Sequence, residues 1–175
     1  MDLDGTAHAG TAAIPDEVDR IVAAWRRERP DLDVTPLEVL SRVTRLARHL
    51  DRARRAAFAR HDLETWEFDV LSALRRAGVP YELSPGALLT QTLVTSGTMT
   101  NRIDRLEAHG LVSRNPSPGD RRGVLVRLTP AGLRAVDAAM ADLVAEEHAL
   151  LARLGDDERG ALAGLLRTVL GQFDG

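Results

Sequence analysis

The sequence predicts a mainly α-helical chain carrying one small β-hairpin, and three observations predict it. Apolar residues recur at three- and four-residue spacing through most of its 175 residues, the period of an amphipathic helix. One stretch breaks that rhythm: Leu111 to Gly132 reads LVSRNPSPGDRRGVLVRLTPAG. Two short apolar runs, Leu111–Val112 and Val124–Leu128, flank a tip holding two prolines, two glycines, one acid and two adjacent arginines. Finally, hydrophobic residues make up 44% of the chain but aromatics only 3%, so Leu, Val and Ala must build the core, which suits helices packed on helices.

In chain order, residues 1–13 are small and polar and read as a disordered tail. Ile14, Val18, Ile21, Val22 and Trp25 form a helical stripe that Pro30 ends. Thr35-Pro36-Leu37-Glu38 reads as a capping box with proline at the first helical position, opening a helix to about Arg60. Thr65 is read as the cap of the next helix, with Trp66, Val70, Leu71 and Leu74 inward and Gly78 at its end. Tyr81–Leu83 is a short extended piece. Ser84-Pro85 starts a short helix, and a turn over Thr92–Ser96 leads to a helix from Thr98 to His109 that Gly110 ends, with Met99, Ile103 and Leu106 inward. Val124, Val126 and Leu128 alternate as a half-buried strand should. Thr129-Pro130 opens a long helix, Gly155-Asp156-Asp157 breaks it, and a last helix carries Leu162 through Phe173.

Two helices in a tight turn followed directly by a basic hairpin form a winged helix-turn-helix: the hairpin is the wing, and the helix before it enters the DNA major groove. The expected organisation is a tail at 1–13, N-terminal helices at 14–62, the winged DNA-binding domain at 63–128, and C-terminal helices at 129–175. Ile14 to Trp25, Leu133 to Leu151 and Leu162 to Phe173 are too apolar on one face for one small domain to cover, which points to a two-fold homodimer.

The net charge is −3, which does not suggest nucleic acid, but its distribution does. Residues 42–60 carry 7 arginines and 1 acid, and residues 84–134 carry 7 arginines and 3 acids. Acidic ends flank this basic centre, the local footprint that DNA requires. There is no cysteine, which excludes disulfides, thiol redox sensing and zinc–cysteine sites. The histidines at 8, 49, 61, 109 and 148 have no metal-ligand spacing, and no HExxH, P-loop or GxSxG is present. No catalytic residue, cofactor or metal is therefore expected. With no apolar run near roughly 18 residues and no signal peptide, a cytoplasmic protein without a membrane partner is the default.

The reading helix places Thr98, Asn101, Arg102 and Arg105 on its polar face. Asn pairs with adenine and Arg with guanine, while Ser96 and Thr98 reach phosphates or base edges. In the wing, Asp120 precedes Arg121 and Arg122; an arginine at a hairpin tip enters a narrow minor groove, and a nearby carboxylate orients it.

The run GDRRGVLVRLTPAG, preceded by MTNRIDRLEAHGLVSR, closely resembles the MarR family of winged-helix bacterial transcriptional regulators, over about residues 35–173. The resemblance implies a homodimer on a pseudo-palindromic double-stranded operator, usually repressing, and usually released by a ligand bound between the dimerisation and DNA-binding parts. A narrower resemblance is to the family's urate-responsive branch, which includes citrate- and aconitate-responsive relatives. That branch carries an extra N-terminal helix with a Trp, an Asp before the reading-helix pair, an Arg in the reading helix and an Arg at the following strand. The matching positions here are Trp25, Asp69, Arg102 and Arg114. Two arginines hold an anion by charge-assisted bonds, an indole offers a flat face, and Asp69 is expected to pair with Arg114 when no ligand is bound. The alternatives are a winged-helix module used for protein contacts and a small hydrolase.

Overall fold

The computed structural model describes residues 14–92, 95–117 and 120–173, with the backbone alone for 120–122. The tail read at 1–13 lies outside them. The chain divides between Leu50 and Asp51 into two compact units.

The first unit holds α1 (Glu17–Glu28) and the beginning of α2 (Pro36–Ala59). Asp16 caps α1, accepting the Val18 and Asp19 amides, while Asp19 reaches back to the Asp16 amide. Val18, Val22 and Val34 are buried together, with Leu37 against them. The capping box expected at Thr35–Glu38 is not made. The Thr35 hydroxyl donates to Asp33 at 2.7 Å, and Glu38 takes the Arg26 guanidinium at 2.6 Å; two nearby charged partners outcompete the local cap.

The second unit begins in the last turns of α2 and continues through α3 (Thr65–Arg76), β1 (Glu82–Leu83), α4 (Pro85–Thr92), α5 (Ser96–Ala108), β2 (Val112–Ser117), β3 (Asp120–Leu128), α6 (Pro130–Leu150) and α7 (Asp156–Leu170). The strands form one antiparallel sheet in the order β1-β3-β2. Phe58 stacks on Phe68 with centroids 4.0 Å apart, joining the end of α2 to α3. Around this pair lie Leu71, Leu74, Leu88, Ile103, Leu106, Val126, Val136 and Leu143, all buried. The α4–α5 pair and the β2–β3 hairpin therefore share one core with α3 and α6.

α3 starts one residue earlier than a Thr65 cap implies, since Glu64 is its cap residue and Glu67 accepts the Glu64 amide at 2.9 Å. The strands of the wing run beyond their apolar runs into the polar tip; β2 lies at the sheet edge, where a proline such as Pro116 is tolerated.

The junction between α5 and α6 is tight. Gly110, at φ +70°, ends α5, in the left-handed region that only glycine enters freely. The Thr129 hydroxyl accepts the Gly132 amide at 3.0 Å and donates to the Gly110 carbonyl at 2.7 Å, while the Thr129 amide donates to Leu111 at 3.1 Å. A β-carbon at Gly132 would stand 2.0 Å from the Leu111 carbonyl oxygen, so only glycine lets α6 approach this closely.

Gly132→Ala is expected to lower the unfolding free energy by about 2–3 kcal/mol in urea titrations, since backbone atoms must move to relieve the overlap. Gly160→Ala, at a helical position where a β-carbon meets nothing, is neutral or stabilising by about 0.5–1 kcal/mol. Equal effects of the two changes would show that the junction has room.

Candidate nucleic-acid interface and ligand cleft

α5 presents two faces. Met99, Ile103 and Leu106 are buried, while Ser96, Thr98, Asn101 and Arg105 are exposed. Thr95 is the cap residue, and its hydroxyl lies 2.9 Å from that of Thr98. Beyond Gly110 the chain enters the β2–β3 hairpin directly. Asp120, Arg121 and Arg122 fall in β3; their side chains lie outside the described residues, as does the turn at 93–94.

The start of α3 mounts this helix. Glu67 is the one charged side chain among the described residues that is fully buried, 1% exposed. Its Oε2 accepts the Glu64 amide, and its Oε1 lies 3.0 Å from Nδ1 of His109 at the end of α5. Glu64 faces α5 as well: it takes Arg105 at 2.6 Å and the Trp66 indole N–H at 2.8 Å. These two donors hold the Glu64 carboxyl below the usual carboxylate range. Arg105 and Arg102 both lie against the Trp66 ring, at 4.6 and 5.6 Å from its centroid, within cation–π reach.

Two hollows meet at that indole. One, lined by Trp66, Gly97, Thr98, Asn101, Arg102 and Arg105, opens along the polar face of α5. The other is an open cleft of about 570 Å³ whose lining includes Arg55, Glu64, Trp66, Asp69 and Arg102. Trp66 and Arg102 belong to both.

Of the four residues expected to bind a ligand, Asp69 and Arg102 share this cleft. Trp25 lies in the first unit, on α1 and 48% exposed, beside Ile21, Ala24 and Glu28. Arg114 does not pair with Asp69. It stands on β2 just past α5, where Asp104 and Glu107 both reach its guanidinium, and these carboxylates take it. Asp69 makes no ion pair among the described residues. Its side chain is exposed to water, yet enough protein surrounds it that desolvation raises its carboxyl above the usual range, against the opposing pull of Arg54, Arg102 and Arg76.

Sequence reading missed Trp66, Glu64 and Arg55 as cleft residues and Glu67 as a structural charge. One signal existed for Glu67: with Val70, Leu71 and Leu74 it falls at helical spacing on the buried face, where an acid demands a partner.

The Asp69 carboxyl, raised on folding, binds its proton more tightly in the folded protein, so stability falls as pH rises through its titration. Asp69→Asn is therefore expected to raise the thermal midpoint at pH 7. The advantage fades as pH drops below the ordinary value of 3.8, where the wild-type carboxyl is protonated in both states. A neutral or destabilising effect at pH 7 would mean that the arginines outweigh desolvation.

The comparisons agree with this architecture. Residues 61–123 match the model of the MarR family. The chain is 39% identical over 153 residues to the HTH-type transcriptional regulator PecS of Dickeya dadantii, covering 87% of this chain and 92% of that protein. It is 33% identical over 143 residues to the HTH-type transcriptional repressor NicR of Pseudomonas putida, covering 79% and 89%. Among solved structures it is similar to a mutant of Escherichia coli MarR complexed with operator DNA: TM-score 0.63, 30% identity, 79% of this chain and 99% of that one. These relatives are regulators and not enzymes, and no described helix is long and apolar enough to cross a membrane. With its wing, its capped reading helix and these likenesses, the chain belongs to the MarR family and is a DNA-binding transcriptional regulator of the winged-helix type.

Proposed function

We propose that this protein is a homodimeric repressor that binds a pseudo-palindromic operator and leaves it when a small organic anion binds. The carrying observation is the two-faced α5, apolar at Met99, Ile103 and Leu106 and open at Thr98, Asn101 and Arg105, fixed between α3 and the wing. In this reading Asn101 addresses adenine and Arg105 guanine, Ser96 and Thr98 fix the phosphate register, and the wing residues Asp120, Arg121 and Arg122 serve the minor groove. Repression is supported by the likeness to NicR, which is named a repressor.

Dimerisation is supported by apolar side chains left exposed at both ends of the chain: Val39, Leu40, Val43 and Leu46 on α2, and Leu165, Val169, Leu170 and Phe173 at the C-terminus. A two-fold axis would cover such faces and place two copies of α5 in successive major grooves.

The effector reading rests on Asp69 and Arg102 in one cleft, with Arg102 also lining the DNA-facing hollow. An anion drawn to Arg102 changes what that side chain does on the reading helix. Urate, citrate and aconitate are the effectors that the resemblance to the urate-responsive branch suggests.

Selection from random duplexes is expected to return a two-fold site with half-sites about 10 bp apart or a multiple of that. Asn101→Ala relaxes the preference at one base pair per half-site, a loss of about 1–3 kcal/mol in discrimination. Arg122→Ala weakens all sequences alike and flattens the salt dependence by about one unit of slope. Urate, citrate or aconitate added to the complex lowers operator affinity in a gel shift, and Arg102→Ala loses that response together with anion binding to the free protein. An asymmetric site, or wild-type behaviour of both DNA variants, would contradict the groove assignment. No response to any of the three anions would remove the effector reading.

A further inference from the structure

Arg114 is tied to α5 through both its backbone and its side chain. β2 is an edge strand, so alternate amides along it point away from the sheet and need another acceptor. Arg114, opposite Val126, donates its amide to Oε1 of Glu107 at 3.1 Å. Its guanidinium donates to Oε2 of the same carboxylate and to Oδ1 of Asp104. Two acids one turn apart on α5 thus hold a single residue of β2, whose side chain is 32% exposed.

The place of this contact decides what it does. Leu106, Val112 and Val126 anchor the base of the hairpin in the core, but no residue of β2 beyond Val112 is buried. The hairpin is free to lean against α5 from that base, and Arg114 is where the lean is braced. Ser117 lies three residues further along, a lever arm of roughly 10 Å, so slack at Arg114 grows toward the tip. A helix and a hairpin that address neighbouring grooves of one duplex need a fixed angle between them.

The charges argue against Arg114 as a direct phosphate contact. Both carboxylates face its guanidinium, so the cluster is net negative and is repelled by DNA as a whole. We propose, on the reading of the β2–β3 hairpin as a minor-groove wing, that Arg114 is a positioning residue for DNA binding: held by Asp104 and Glu107, it sets the angle of the wing against α5.

The test uses the full chain and the duplex that selection from random sequence recovers, with affinity read by fluorescence anisotropy. The variants are Arg114→Gln and the pair Asp104→Asn with Glu107→Gln, each alone and combined with Arg122→Ala. Circular dichroism melts confirm that each is folded; if Arg114→Gln is not, the carboxylate pair, which keeps its side-chain sizes, carries the test. By electrostatics alone, removing two negative charges beside DNA tightens binding. The brace predicts the opposite sign: the carboxylate pair and Arg114→Gln each weaken binding about three- to tenfold. In the Arg122→Ala background, where the wing has lost its contact, neither costs more than about twofold. Hydroxyl-radical protection of the minor groove fades in these variants, while protection of guanine N7 in the major groove persists. Unchanged or tighter binding by the carboxylate pair, losses that add to that of Arg122→Ala, or equal fading of both protections overturns the brace and leaves the wing reading standing. If Arg122→Ala itself binds like wild type, the wing reading falls and the brace with it.

Discussion

One buried carboxylate governs how α5, the proposed DNA-reading helix, is mounted. Glu67 sits 1% exposed in an apolar core, and a charge there is tolerated only if hydrogen bonds replace its water. One oxygen closes the first turn of α3 through the Glu64 amide, and the other meets His109 at the end of α5. The start of one helix and the end of another are thereby held by a single side chain. Just past the same helix end, Thr129 and Gly132 lock the first turn of α6 onto Gly110 and Leu111. The exit of α5 is thus held by two sets of contacts, and the wing begins two residues past Gly110.

The neighbouring residues of α3 turn this mount toward function. Glu64, Trp66 and Glu67 lie within four positions, and each touches α5. Glu64 and Trp66 also line the cleft that Asp69 and Arg102 share. The cleft and the polar face of α5 therefore have common walls, and a change at one needs no long relay to reach the other. The cost in stability falls on Asp69, which makes no ion pair among the described residues and whose carboxyl the surrounding protein raises above its usual range. Perturbed titratable groups of this kind cluster at binding sites.

Much of this was legible in the sequence because the decisive signals were local. Gly110, Thr129-Pro130 and Ser84-Pro85 mark helix boundaries by backbone chemistry that tertiary packing does not override. The alternation of Val124, Val126 and Leu128 gave the inner strand, while the reach of β2 through Asn115, Pro116 and Ser117 went unread, since edge position rather than composition permits it. The capping box at Thr35 failed because Asp33 and Arg26 are stronger partners than the local amides. At the site, Asp69 and Arg102 emerged together, but Arg114 went to Asp104 and Glu107, carboxylates on the same polypeptide stretch that a pairing argument from residue type alone does not rank. Trp66 and Glu67 were hidden inside an ordinary amphipathic pattern; only the packing of α3 against α5 shows that one is a shared wall and the other a strut.

In the proposed regulation the cleft and the polar face of α5 act as one coupled unit through the walls they share, Trp66 and Arg102. The most direct measurement is the affinity of the free protein for an anion such as urate, compared with its affinity when saturated with operator. Coupling is reciprocal, so operator must weaken the anion by the same factor by which the anion weakens operator, about 5–150-fold for couplings of the usual size. Equal anion affinities in the free and operator-bound protein would contradict the account.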